Sequence, residues 1–338
     1  MHIGNAFADL APLFRAPPPL SPRMRPSNSL RRGRLTRGAI FVSCLIAPLG
    51  AAHAQASPPP RRHEVRADDG HQLVLWEKRP PGTPRGEIVL LHGRTWSALP
   101  NFDLHARGQR VSLMDALVAK GYAVYALDQR GYGSTARDAT GWLTPERAAA
   151  DAESVADWVA THAPLARRPG LLGYSRGSAT AMLAAQRHPE KLSALIMYGP
   201  YHNVVNPPDI PESPSVPPRA HTTATGAAED FITPDSTPAG VKDAYVKAAT
   251  TSDPVRTDWR HEEQFNALDP AAVHIPTLVI HGDRDPYANA AALPVFFSRL
   301  GTVDRWWVVL ASADHVAHLE RPTAFVQALV SFLERNRR

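Results

Sequence analysis

From about residue 63 onward, the hydrophobic and polar positions of the chain fall into two alternating rhythms. Glu87-Ile88-Val89-Leu90-Leu91 is apolar without alternation and stops at His92-Gly93, as a strand buried on both faces does. Tyr122–Leu127, Gly170–Tyr174, Leu192–Tyr198, Thr277–His281 and Arg305–Leu310 repeat that pattern. Helical periodicity separates them over about 108–120, 145–161, 176–187, 288–300 and 322–335. Thr144 is the expected N-cap of the second of these helices, with Pro145 in its first turn. Upstream, 63–67 and 72–79 read as a hairpin around Asp68-Asp69-Gly70. Strands alternating with helices imply an α/β fold whose mostly parallel sheet is covered on both faces.

Two stretches depart from this rhythm. Residues 201–270 contain prolines at 207, 208, 211, 214, 217, 218, 234, 238, 254 and 270, many Ser and Thr, and only weak helical patterns near 239–250 and 259–267. Such a segment between two core strands is expected to be a lid or cap insertion; a disordered surface loop is the alternative. The other departure is the N-terminus. Seven arginines and one acid precede residue 55, and Arg31-Arg32-Gly33-Arg34 leads into an apolar run of about 14 residues, Ala39 to Ala52. That run is short for a permanent membrane span and ends in Ala52-His53-Ala54, a small-x-small cleavage pattern. Residues 1–54 are therefore expected to be an export signal, through the general or the twin-arginine route, with either Met1 or Met24 as the start. The alternative is a retained anchor. Pro58-Pro59-Pro60 lies in a stiff linker, 55–62, ahead of a core formed by 63–200 and 271–338.

Composition matters mainly through this division. The formal charge of +5 belongs to the leading segment: the rest of the chain carries 30 Lys and Arg against 31 Asp and Glu. The basic isoelectric point is thus no argument for nucleic acid or an anionic membrane as partner. The single cysteine, Cys44, sits in the leading apolar run, which leaves the expected mature chain without disulfides, thiolate metal sites or a cysteine nucleophile.

The candidate chemistry is at strand ends. Gly173-Tyr174-Ser175-Arg176-Gly177 fits G-x-S-x-G between a buried strand and a helix rich in small residues. A sharp strand-to-helix turn needs little bulk around the serine, and it lifts the hydroxyl to a helix N-terminus that favours developing negative charge. Serine requires a base, and His315, beyond the strand 305–310, is the candidate, with His318 as competitor. The base requires an acid. Asp285, in Gly282-Asp283-Arg284-Asp285 after the strand 277–281, is preferred, with Asp283 left to hold its turn. The order Ser175, Asp285, His315 is nucleophile, acid, base. Oxyanion donors are expected from the backbone N–H groups of Arg176 and Arg94, and their side chains are expected to be solvated or paired with nearby acids. His92 and His281 read as structural.

Together, Leu90-Leu91-His92-Gly93, Asp128-Gln129-Arg130-Gly131-Tyr132-Gly133-Ser134, the Ser175 pentapeptide, His281-Gly282-Asp283-Arg284-Asp285 and Asp314 to Glu320 resemble the α/β-hydrolase superfamily over residues 63–338. The resemblance implies an eight-stranded sheet, a lid before the acid strand and hydrolysis without a cofactor. Arg176 and Asp314 depart from it: relatives often carry Met, Gln or Trp at the first position and Gly at the second. The implied function is a secreted or periplasmic serine esterase acting on a small or medium soluble acyl substrate. Amidase or peptidase, C–C bond hydrolase and acyltransferase are alternatives, as is a non-catalytic binding protein of the same fold. No metal, nucleic acid or membrane partner is expected of the mature chain, and the oligomeric state stays open. Trp96, Phe102, Phe231 and Trp259 are candidates for a pocket lining, with core packing as the alternative.

Overall fold

In the computed structural model the described residues are 58–200, 203, 209, 213–288 and 291–336. The expected export signal and the cleavage site lie outside them, as do the first residues of the linker and part of the 201–212 stretch.

The hairpin forms as expected, from β1 (Arg61–Arg66) and β2 (Gln72–Lys78). Then follow β3 (Gly86–Leu91), β4 (Tyr122–Asp128), β5 (Trp142–Leu143), β6 (Gly170–Tyr174), β7 (Ala194–Tyr198), β8 (Asp258–Trp259), β9 (Thr277–Gly282) and β10 (Arg305–Leu310). Eight of these make one sheet in the order β1-β2-β4-β3-β6-β7-β9-β10. β2 runs antiparallel to its neighbours β1 and β4, and every other pairing in the sheet is parallel.

Side-chain alternation explains the two covered faces. Along β3, Val89 and Leu91 enter one apolar cluster with the helices Pro145–His162 and Arg176–Arg187. Ile88 and Leu90 enter the opposite cluster with the helices Leu113–Ala119 and Pro322–Arg335. Thr144 caps the Pro145 helix, its side chain accepting the Arg147 N–H at 3.2 Å. The helix expected from about 108 starts only at Leu113, because Ser112 takes the cap and accepts the Asp115 N–H at 3.0 Å.

Between β7 and β9 the described residues carry two helices, Ala224–Ala228 and Val241–Ser252, the short β8, and 3-10 turns at Glu262–Ala267, where the sequence shows a weak helical pattern, and at Pro270–Ala272. β8 pairs in parallel with β5, tying this insertion to the loop before the Pro145 helix. A third apolar cluster joins Phe231, Val241 and Tyr245 of the insertion to Trp96, Leu104 and Leu319 of the core. No helix among the described residues is long and apolar enough to cross a membrane.

Candidate active site

Ser175 follows β6 directly and adopts φ 55°, ψ −121°, a conformation that costs a non-glycine residue about 1–3 kcal/mol. Its neighbours show what holds it there. A Cβ on Gly173 would lie 2.0 Å from the Gly177 carbonyl oxygen, and one on Gly177 would lie 2.4 Å from that of His92. The turn is therefore closed by backbone against backbone, and glycine at both places is a steric requirement. Ser175 gives its own N–H to the Tyr198 carbonyl at 2.8 Å. It lies at the N-terminus of the helix Arg176–Arg187 and borders a cavity of about 250 Å³.

Three other strand ends meet this cavity or its wall. His315 follows β10 and is buried; its Nδ1 lies 2.9 Å from Asp285 Oδ2, which follows β9. With Nδ1–H donating to the carboxylate, Nε2 is left as the basic nitrogen. Asp285 Oδ1 accepts the Tyr287 N–H at 3.0 Å, so both carboxylate oxygens are engaged. Arg94, after β3, lines the cavity beside Gly93 and Arg176.

The competing residues have other occupations. His318 is buried; Nε2 donates to the Asn101 carbonyl at 2.8 Å and Nδ1 accepts from the Tyr198 hydroxyl at 2.8 Å. Burial lowers its pKa to about 4, keeping it neutral. Asp283 accepts the Ala313 N–H at 3.0 Å and so joins the turn after β9 to the histidine loop. Backbone donors at Ser312 and Ala313 pull its carboxyl below the usual range. His92 is buried, bonded to the Gly93 carbonyl and the Gln129 N–H, and desolvation brings its pKa to about 4. His281 takes a bond from the Trp307 indole. Of the four aromatic residues considered for the pocket, Trp96 lines the cavity; Phe102, Phe231 and Trp259 lie in apolar clusters.

Two residues of the insertion, Glu262 and Asp230, carry no sequence signal of their own, whereas Asp128 and Tyr132 belong to the Asp128-to-Ser134 motif. Glu262, from the insertion, bonds the Arg94 guanidinium at 3.0 Å through one oxygen and Arg176 through the other. The Arg176 guanidinium also lies 5.2 Å from the Trp259 ring centre, so it is held from two sides in a nearly dry setting. Tyr132, in the turn after β4, donates its hydroxyl to the Arg94 carbonyl and accepts from Trp259 Nε1 at 2.8 Å. That fixes the turn carrying the Arg94 N–H. Asp128 anchors the same region, accepting from Trp76 Nε1 and the N–H groups of Ala98 and Ser134, and burial raises its pKa to about 6. Asp230, also from the insertion, lines the cavity, and its carboxyl is pushed up by burial.

Metal chemistry has little purchase at the two acidic clusters among the described residues. Lys78 bonds both Asp103 and Asp115, while Arg130 and Arg147 occupy Asp68, Asp69 and Asp151.

Comparison with known proteins agrees with the fold. The chain is 27% identical to the monoacylglycerol lipase of Mycolicibacterium smegmatis over 262 residues, covering 72% of this chain and 85% of the relative. It is 26% identical over 231 residues to the 2-hydroxy-6-oxo-6-(2'-aminophenyl)hexa-2,4-dienoic acid hydrolase of Metapseudomonas resinovorans, covering 65% and 76%. Among solved structures, a serine hydrolase involved in carbazole degradation superposes with a TM-score of 0.58 at 20% identity, covering 81% of this chain and 99% of that one. A thermophilic esterase from Thermogutta terrifontis gives 0.55 at 18%, covering 82% and 100%. The family model described as serine aminopeptidase, S33, matches residues 82–322. Matched over more than half its length, this chain belongs to that family and is an α/β-hydrolase enzyme.

Proposed function

We propose that the enzyme hydrolyses a carboxylic ester through an acyl-serine intermediate on Ser175, with His315 as base and Asp285 as its acid partner. The observation that carries this reading is the conjunction at one cavity: a serine on a strained, glycine-closed turn, and a histidine whose Nδ1 is tied to a buried carboxylate. Its relatedness to a monoacylglycerol lipase supports an ester as the bond attacked.

In the first half-reaction, His315 Nε2 takes the Ser175 hydroxyl proton as the oxygen bonds to the carbonyl carbon. The carbonyl electrons move to oxygen, which the Arg176 and Arg94 backbone N–H groups receive. Collapse expels the alcohol, to which Nε2 returns the proton. Water then repeats the sequence on the acyl-serine, releasing the acid. Asp285 stays ionised throughout, holding the tautomer and offsetting the imidazolium charge.

The test is steady-state turnover of short p-nitrophenyl esters alongside the matching anilides. Wild type is expected to cleave the esters with a preference over the anilides, and Ser175→Ala and His315→Ala to lose at least 10³-fold in kcat. Ester turnover unchanged in Ser175→Ala contradicts the assignment. We also infer export of the enzyme with cleavage after Ala54, supported by the arginine-flanked apolar run. A mature chain beginning at Gln55 is the expected result of N-terminal sequencing, and retention of the leading segment would refute it.

A further inference from the structure

Given ester hydrolysis at Ser175, we propose that Asp230 selects substrates bearing an alkylammonium group a few bonds from the scissile carbonyl. The charges around the cavity lead to this. Both arginines nearest the serine bond Glu262, one through each carboxylate oxygen, so half of their combined charge is offset inside the protein. Asp285 has both oxygens engaged, by His315 and by the Tyr287 N–H. Asp253, at the end of the insertion helix Val241–Ser252, is likewise taken up by the N–H groups of Ser97 and Gly133.

Asp230 also takes two side-chain hydrogen bonds, from Tyr245 and Trp96, but unlike Asp285 and Asp253 it lines the cavity itself. Its carboxylate lines the same cavity as Ser175 and His315, and it forms no ion pair with a lysine or arginine among the described residues. Tyr245, fully buried, places its hydroxyl 3.2 Å from Asp230 Oδ2 and 3.2 Å from Asn101 Oδ1, so the carboxylate is anchored in position. Phe231, the next residue, packs edge-on against the Tyr245 ring at 5.2 Å, which fixes the backbone as well. Burial pushes this carboxyl up, while His315, Tyr245 and the Trp96 side chain pull the other way. A cation brought in by the substrate supplies what the site lacks: a counter-charge for a half-buried carboxylate in a setting of low dielectric. With about 250 Å³ available, the cation and the reacting carbonyl belong to one small molecule, only a few bonds apart.

The ammonium can sit on the acyl or the alcohol side, and two substrate pairs separate these. The first pair is p-nitrophenyl β-alaninate against its near-isostere p-nitrophenyl butyrate. The second is 2-(dimethylamino)ethyl butyrate, protonated at pH 7, against 3-methylbutyl butyrate. In wild type the cationic member of one pair is expected to have about tenfold the kcat/KM of its isostere. Asp230→Asn is expected to reduce that ratio about tenfold, and Asp230→Glu to recover part of it. Equal ratios in wild type and Asp230→Asn for both pairs, or a wild-type preference for both isosteres, overturns the proposal.

A second measurement needs no variant. Propylammonium is expected to inhibit butyrate ester hydrolysis by wild type at concentrations where n-butanol does not, and equal potency of the two also overturns the proposal. Labelling of Ser175 by a fluorophosphonate in the same samples separates the two readings. A labelled enzyme without cation preference refutes the role of Asp230 alone, whereas an unlabelled one refutes ester hydrolysis at Ser175.

Discussion

Glu262 illustrates how one side chain sets the character of the site. It bonds two guanidinium groups at once, one exposed on Arg94 and one buried on Arg176, and offsets half of their combined charge. Removing one partner from a buried pair leaves an uncompensated charge, which typically costs about 3–5 kcal/mol. Glu262→Gln is therefore expected to lower stability in urea unfolding by about 3 kcal/mol. It should also shift specificity, raising kcat/KM for a succinate monoester relative to the matching neutral ester. An unchanged ratio would show that the two arginines do not face the substrate. At this scale the strand-end residues were readable, since Ser175, Asp285 and His315 each sit in a short motif directly after an apolar run. Asp230 and Glu262 were not. They belong to the insertion, lie far from those motifs in sequence, and reach the cavity only through tertiary packing.

At the scale of elements, the loop from β10 to the last helix carries His315 and is braced by two acids. Asp314 accepts the Thr233 N–H at 2.7 Å from the insertion and the Val316 N–H at 3.2 Å from its own loop. Its N–H in turn bonds Glu320 Oε2 at 2.6 Å. Burial, with Asp314 beside it, pushes the Glu320 carboxyl up. Asp314→Ala leaves a half-buried N–H at Thr233 without its acceptor, which costs about 1–3 kcal/mol locally. Amide exchange at Thr233 is expected to quicken at least tenfold in that variant, with little change in β3 or β6; exchange unchanged at Thr233 would contradict the brace. The core strands and long helices were legible because uninterrupted apolar runs and 3.6-residue periodicity persist over whole elements. Short ones were not: β5 and β8 are two residues each, and the helix Ala98–Phe102 has five, too few for periodicity to register.

For the molecule as a whole, buried histidines connect the site to acid stability. His92 and His318 have pKa values of about 4 in the fold, below the ordinary 6.5. Between these values the unfolded chain binds protons that the native state does not, so each contributes stability that is full above pH 6.5 and lost as pH falls towards 4. Asp128 acts in the opposite sense: its raised pKa of about 6 makes the native state the better proton binder between about 3.8 and 6. His318→Asn is expected to flatten the fall in stability between pH 6.5 and 5 by about 1 kcal/mol per pH unit, since the unfolded imidazole goes from half to almost fully protonated over that range. Urea unfolding at several pH values reads this directly, and parallel slopes in wild type and variant would contradict it. The central claim remains the nucleophile. Intact-mass spectrometry of the enzyme exposed to a fluorophosphonate, with peptide mapping, tests it most directly. One adduct per chain on the peptide carrying Ser175, absent in Ser175→Ala, is the expected result; no adduct on folded wild type, or one elsewhere that persists in the variant, would contradict it.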